Sequence, residues 1–436
     1  MNKIFFLLAV CLFAGIAVLA QPNIYPVPEN KGVILITGAT VHTGNGQVMQ
    51  QADVLINKNK IEKIGANLPV PAGAQVVDAS GKHLYPGLIN SITNLGIKEV
   101  SGGVPGSDDY QELGTINPNI RSIVAYNTSS RIINVLRSHG ILLANVIPQN
   151  EQGSNQLISG TSSVVQLDAW NYEDAAYQID GQMHLNVPSF VNRRRFNAPA
   201  RGEDPAKEAI RKIDEVKSFL KNAKAYFGGD GHEQINLYFE ALRPLFEGKQ
   251  KLFVHADAVP QMLVAIDLKK EMGLDVVIVG GDDSWQITSL LKENKIPVIL
   301  REMHALPAAH DDDVDQPFKT PYILQNAGIL FAISDNNNET RGRNLMFNAG
   351  TAAAYGLTKE QALSAITLNA ARILGIGDRT GSIEVGKDAN IVISTGDILD
   401  PENSVVTNAF IQGRQIKLEN KQTQLAERYK YKYQIK

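Results

Sequence analysis

Apolar and polar positions change their spacing twice along this chain. Residues 33 to 80 alternate in short β-type runs broken by turn signals, "VILITGATVH", "ADVLI", "KIEKIG" and "AQVVDA", with Lys58-Asn59 as a hairpin turn between two of them. The period of two predicts a small antiparallel unit. From Tyr85 onward continuous apolar strands alternate with amphipathic helices. "KLFVHA" at 251–256 is one such strand; Val259, Met262, Leu263 and Ile266 then mark a helix face, and Gly273 its stop. "LDVVIVGG" at 274–281, a helix carrying Ile287, Leu290 and Leu291, "IPVIL" at 296–300 and "ILFAISD" at 329–335 continue the series. Thr320-Pro321 predicts a helix start, an N-cap followed by proline at the first helical position. Thr358 and Gln361 form a capping box, after which "GSIEVGKDANIVI" returns to short β-type runs.

Strands apolar on both faces need helices outside a parallel sheet, and this many βα units favour closure over an open sheet. The predicted fold is α/β: a (β/α)8 TIM-like barrel over residues 86–376, plus a small composite β-sandwich built from both chain ends, 21–85 and 377–436. Function is then expected at the C-terminal ends of the barrel strands.

The first twenty residues change the picture of where the protein works. "MNKIFFLLAVCLFAGIAVLA" carries one cation, Lys3, then an apolar run short for a membrane span, then Val18-Leu19-Ala20, and so reads as a cleaved secretory leader. The expectation is an exported protein, periplasmic or extracellular, with no membrane attachment after cleavage. Cys11, the single cysteine of the 436 residues, leaves with the leader, so the mature chain has no disulfide and no thiolate ligand. The formal charge moves from −3 to −4 with the loss of Lys3, and Arg193-Arg194-Arg195 is the one basic cluster inside the fold, so no nucleic-acid partner is expected.

Three segments, "ATVHTGNG" through "GKHLYPGLIN", "LFVHA", and "ALSAITLNAARILGIGDRTGSIEVGKDANIVI", together resemble the amidohydrolase superfamily, nearest its imidazolonepropionase-like branch. That resemblance implies a (β/α)8 barrel holding one or two divalent metals that activate water against an amide or cyclic C–N bond. The first barrel strand of the family ends in Pro-Gly-hydrophobe-hydrophobe-Asp-x-His-x-His, which aims two imidazoles into the barrel mouth. Here the matching run is Pro86 to Asn94, and the two ligand positions hold Ile92 and Asn94. Isoleucine has no donor, and a neutral amide is a poor substitute for imidazole. The middle-strand lysine or glutamate matches Gln166 in "SSVVQLDAW", and the sixth-strand histidine matches Gly280. Two positions keep their residue types: His255 at the fifth strand, and Asp335 at the eighth, where the family's aspartate binds metal and takes the proton from water.

The loop "MHALPAAHDDDVD", 303–315, follows a strand and is expected over the barrel mouth, offering His304 and His310 beside four aspartates. Its plainer reading is a solvated acidic loop. Activating water at neutral pH lowers its pKa from about 15.7 to about 7 and takes a metal held by roughly three protein ligands. A lone aspartate base offers only about 10²- to 10⁴-fold. A divalent, zinc-like metal therefore enters only as an atypical mononuclear site of His255 and Asp335, completed by His304 or His310. No G-x-S-x-G elbow presents a serine instead, and Gly228-Gly229-Asp230-Gly231 lacks the Lys-Ser/Thr of a phosphate loop. Two functions stay open: a hydrolase of non-peptide C–N bonds with such a site, or a non-catalytic relative that binds a small molecule, as a homo-oligomer or beside an active hydrolase partner.

Overall fold

The computed structural model describes residues 25–99, 109–110, 112–148, 156–191, 204–229, 234–309, 311–336 and 341–435. The leader, Arg193–Arg195, His310, Asp230-Gly231 and the 100–108 part of the glycine-rich loop lie outside the described residues.

Two sheets of eight strands organise the described chain. The first joins both chain ends: β1 (Val33–His42), β2 (Val48–Asn57), β3 (Lys60–Gly65), β4 (Gln75–Asp78) and β5 (His83–Pro86), then β14 (Ile391–Ser394), β15 (Val406–Ile411) and β16 (Arg414–Ile416). Its order is β16-β15-β14-β5-β1-β2-β3, with β4 also on β1. The β2–β3 hairpin turns at Lys58-Asn59 as its sequence predicts, with Asn57 opposite Lys60. Inward residues of both ends, among them Ile36, Val54, Leu84, Ile391 and Phe410, share one apolar core. A close backbone approach clasps the two ends together: a Cβ on Gly413 would lie 1.9 Å from the Lys58 carbonyl oxygen.

The second sheet is the barrel: β6 (Leu88–Thr93), β7 (Ile141–Val146), β8 (Ile158–Gln166), β9 (Ala176–Asn186), β10 (Lys251–Ala256), β11 (Val276–Gly280), β12 (Val298–Leu300) and β13 (Phe331–Ile333), paired in chain order. It is a TIM-like barrel with one departure from a regular (β/α)8 repeat. β8 runs antiparallel to both β7 and β9. The link from Val146 to Ile158 is too short for a helical crossover, which takes a dozen residues or more, so the chain doubles back instead. Between β13 and β6 side chains close the ring: Ile92 N donates to Ser334 Oγ at 2.9 Å and Asn90 Nδ2 to the Asp335 carbonyl at 2.7 Å.

Helix signals hold in two places and shift in a third. Gly273 stops the helix Val259–Met272 at φ +75°, and Thr358 and Gln361 cap Lys359–Ala365 reciprocally. The helix expected to open at Thr320-Pro321 instead spans Gln316–Ala327. Asp315 precedes it, Pro317 takes the permissive first turn, and Lys319 ties back to Asp313 at 3.0 Å and Asp315 at 2.7 Å. Pro321 then falls in the second turn, where it removes one intrahelical hydrogen bond. At the C-terminus, Lys421–Tyr433 is a helix capped by Asn420, with Tyr429, Tyr431 and Tyr433 exposed.

Polar contacts fix the composite sheet to the barrel. Arg414 on β16 donates to the Val27 carbonyl, the Asp168 carbonyl and Gln166 Oε1 at 3.1, 3.2 and 2.9 Å, while Arg137 forms a buried ion pair with Asp168. Pairing leaves little of either charge unsatisfied, which is the condition for burying it.

Candidate functional site

Alternation along the barrel strands decides what reaches the mouth. Leu252 and Val254 face the helices, so Phe253 and His255 point inward; Val298 and Leu300 face out, so Ile299 and, one step on, Arg301 point inward. On β9 Met183 and Leu185 face out, which turns Gln182 and His184 in. An apolar layer of Ile89, Leu143, Val164, Phe253, Val279 and Ile299 fills the barrel below these polar residues, and Ala370, Ala371 and Leu374 of the helix Leu368–Leu374 complete it.

The fifth-strand histidine is tied into a hydrogen-bonded chain. His255 Nε2 meets His184 Nδ1 at 2.9 Å, His184 Nε2 meets Ser162 Oγ at 2.8 Å, and Ser162 Oγ donates to Gln182 Oε1 at 2.9 Å. The Gln182 amide nitrogen donates to the Leu374 carbonyl at 3.0 Å, which turns its oxygen toward Ser162. The network assigns the tautomers. Because Ser162 spends its single hydrogen on Gln182, His184 Nε2 carries the proton toward Ser162. A neutral His184 then accepts at Nδ1, and His255 Nε2 is the donor. Burial pushes His184 down to about 3. Burial also holds His255 well below the usual histidine range, reinforced by His184 and the Arg301 charge. Both rings are neutral near pH 7.

Asp335, buried at the end of β13, is held from two sides. Its backbone engages Asn90, and its Oδ2 accepts from Asn348 Nδ2 at 3.0 Å. Asn348, on the helix Leu345–Ala354, accepts in turn from Met303 N at 2.8 Å and His304 N at 3.3 Å. One buried amide thus pins the 303–309 loop to the aspartate.

A third group stands over β10, β11 and β12. Asp257 Oδ2 accepts from Arg301 Nη1 at 3.0 Å. Gly280 has φ +103°, and a Cβ on it would meet Asp257 Oδ1 at 2.0 Å. A cavity of about 50 Å³ adjoins Arg301, lined also by Asp282, Glu302, Met303 and Thr320, with room for a few waters.

The remaining predicted positions do not join His255. Ile92 packs into the apolar layer, and Asn94 is buried at a turn where its backbone carbonyl accepts from the amides of Ile97 and Lys98. Gln166 is a correction: β8 runs antiparallel, so its last residue pairs with Leu143 near the start of β7, away from the mouth, and its Oε1 serves Arg414 and Asp168 N. His304 is exposed and bonds Thr351 Oγ1 at 2.8 Å through Nε2. The acidic stretch beyond it is spent on Lys319 and on Ala309 N, which Asp312 Oδ2 accepts at 3.1 Å. Sequence reasoning missed His184, Asn348, Asp257 and Arg301. Strand alternation in "QMHLN" and one residue past "IPVIL" was the available signal for His184 and Arg301. Asn348 carried none, because its partners lie 13 and 45 residues away.

The superfamily's metal does not fit the described donors. His255 offers Nδ1 alone, since Nε2 bears the proton directed at His184, Asp335 Oδ2 accepts from an amide, and no group of three or more His, Cys, Asp or Glu side chains among the described residues is arranged to hold an ion.

An eight-stranded barrel with polar residues at its strand ends and a composite sheet from both chain ends is the architecture of a barrel hydrolase. The chain matches the amidohydrolase superfamily, nearest its imidazolonepropionase-like branch. The model of the amidohydrolase family matches residues 286–416. Imidazolonepropionase of Deinococcus radiodurans is 23% identical over 407 residues, 88% of this chain and 93% of the relative. Amidohydrolase tasK of Hapsidospora irregularis is 23% identical over 82% of this chain, which spans only 39% of that relative. The crystal structure of an amidohydrolase from Thermotoga maritima superposes with a TM-score of 0.75 at 25% identity, covering 88% of this chain and 99% of the other.

Proposed function

We propose that this chain is an exported amidohydrolase-family protein whose barrel mouth binds a small polar molecule without metal-driven hydrolysis. The observation that carries the reading is the His255–His184–Ser162–Gln182 chain, which commits both nitrogens of His184 and the Nε2 of His255 to neighbouring side chains and leaves His255 Nδ1 as the one imidazole lone pair of the chain. Neutral imidazoles, buried amides and the Arg301–Asp257 pair suit recognition of a polar ligand. The leader supports export. A homo-oligomer or an active hydrolase partner would give such a binding subunit its role, and nothing in the charge pattern suits nucleic acid.

The second reading, hydrolysis of a non-peptide C–N bond, is favoured by one feature: a buried carboxylate, Asp335, at the strand end where the superfamily keeps its base. Metal content of the purified mature protein, measured by mass spectrometry beside a His255→Ala variant, separates the two. No metal above background in either protein supports the binding reading. Near-stoichiometric metal that disappears in the variant overturns it in favour of hydrolysis.

A further inference from the structure

We propose that Arg301 is the resident cation of the barrel mouth: held by Asp257, it takes over the positive charge that a divalent ion supplies elsewhere in the superfamily and keeps such an ion out. The inference rests on the reading that the mouth works without metal, and it goes further by naming the group responsible.

Three observations converge. Arg301 follows the inward-facing Ile299 at the end of β12, so its side chain enters the mouth. Its hydrogen-bonded partner is Asp257, two residues beyond His255 and on the same inward face of β10 and its continuation. The Asp257 carboxylate in turn fills the space beside Gly280 from which a sixth-strand side chain would project. The glycine and the ion pair are therefore one arrangement. Glycine at 280 is what leaves room for Asp257, and Asp257 is what holds the guanidinium at the end of β12.

The electrostatics follow. A divalent ion bound at His255 would share a partly desolvated mouth with the fixed guanidinium, and like charges in such a site repel. Asp257 pairs with Arg301, and Asp282 and Glu302 also act on the guanidinium, so its charge stands where these carboxylates would otherwise draw a cation. Arginine holds its charge at every accessible pH, so the exclusion is permanent. Among the described residues the hydrogen bond of Nη1 to Asp257 is the one the guanidinium makes, and its other donors can meet a carbonyl or carboxylate oxygen of whatever the mouth binds, in competition with Asp282 and Glu302.

The test is calorimetric titration of EDTA-treated, full-length mature protein with Zn²⁺, comparing wild type with Arg301→Met, Arg301→Lys and the double variant Arg301→Met/His255→Ala. Surface imidazoles such as the His42–His83 pair give a background common to all four. The expected result is no site above background in wild type or Arg301→Lys, a one-to-one site at least about tenfold tighter in Arg301→Met, and loss of that gain in the double variant. Should Arg301→Met fail to fold, Arg301→Gln keeps a donor for Asp257 without the charge and gives the same readout. Zn²⁺ binding unchanged from wild type in the charge-removing variant overturns this inference alone. One Zn²⁺ per wild-type chain, lost in His255→Ala, overturns both this inference and the proposed function.

Discussion

Asp257 Oδ1 lies 2.0 Å from where a Cβ on Gly280 would stand, so these two positions cannot both carry a full side chain in this mouth. The superfamily's sixth-strand histidine is therefore not a residue that a single substitution can restore. Gly280→Ala should destabilise the protein by about 1–3 kcal/mol, from the positive φ together with the collision. Adding Asp257→Gly should recover the steric part and leave the backbone part. Urea denaturation of the single and double variants measures both; an unaltered midpoint in Gly280→Ala would mean that the carboxylate moves aside at no cost.

Asn348 joins Asp335 to the start of the 303–309 loop through one amide. Asn348→Ala leaves Asp335 Oδ2 and the amides of Met303 and His304 without that partner, and should cost about 1–3 kcal/mol. Limited proteolysis should then cut faster between residues 303 and 309. Cleavage at the wild-type rate would show that the loop is held by other contacts, such as His304 with Thr351.

The barrel closes between β6 and β13 through Ser334, whose hydroxyl donates to Asn90 Oδ1 at 2.6 Å and accepts from Ile92 N at 2.9 Å. Ser334→Ala orphans the Ile92 amide in a buried seam, leaves Asn90 Oδ1 only its longer bond from Asp335 N, and should lower stability by about 1–3 kcal/mol. Hydrogen exchange should quicken at the Ile92 amide, with β10 and β11, on the far side of the ring, protected as before. Equal loss of protection around the whole barrel would argue against a local seam.

Glu384 gives the composite sheet a signature on acidification. Hydrogen bonds from Lys387 first, then Ser382, push its carboxyl down to about 2, with a smaller contribution from Asn45 of the other chain end. Since the folded value lies below the ordinary 4.5, the stabilisation is complete above pH 4.5 and is lost as pH falls toward 2. Solvent exposure screens part of it. Glu384→Gln should melt lower than wild type at pH 6, and the gap should narrow by pH 3 and close only as the pH approaches 2. A gap independent of pH would assign the effect to packing rather than charge.

How much of this was legible beforehand differs from residue to residue. The strand at 251–256, the hairpin at Lys58-Asn59 and the Thr358 cap rest on local spacing and turn chemistry, and the structure places each where the pattern does. Gln166 was placed at the mouth by its match to the family's middle-strand lysine or glutamate. The reversal of β8 is set by the length of a loop, and no periodicity reports it. The Gln316 helix start was hidden because the Thr320-Pro321 signal competes with Asp315 and Pro317, and the contact of Lys319 with two aspartates decides between them.

The sequence by itself determined the barrel, its composite sheet, its superfamily and the residue types at the ligand positions, because all of these are written in local period and short motifs. Only the tertiary structure decided what occupies the mouth. Which nitrogen of His255 bears a proton depends on Ser162 and Gln182, and what fills the space at Gly280 depends on Asp257 and Arg301. Those partners come from four different strands or strand ends, so their meeting is a property of barrel closure that no stretch of chain contains.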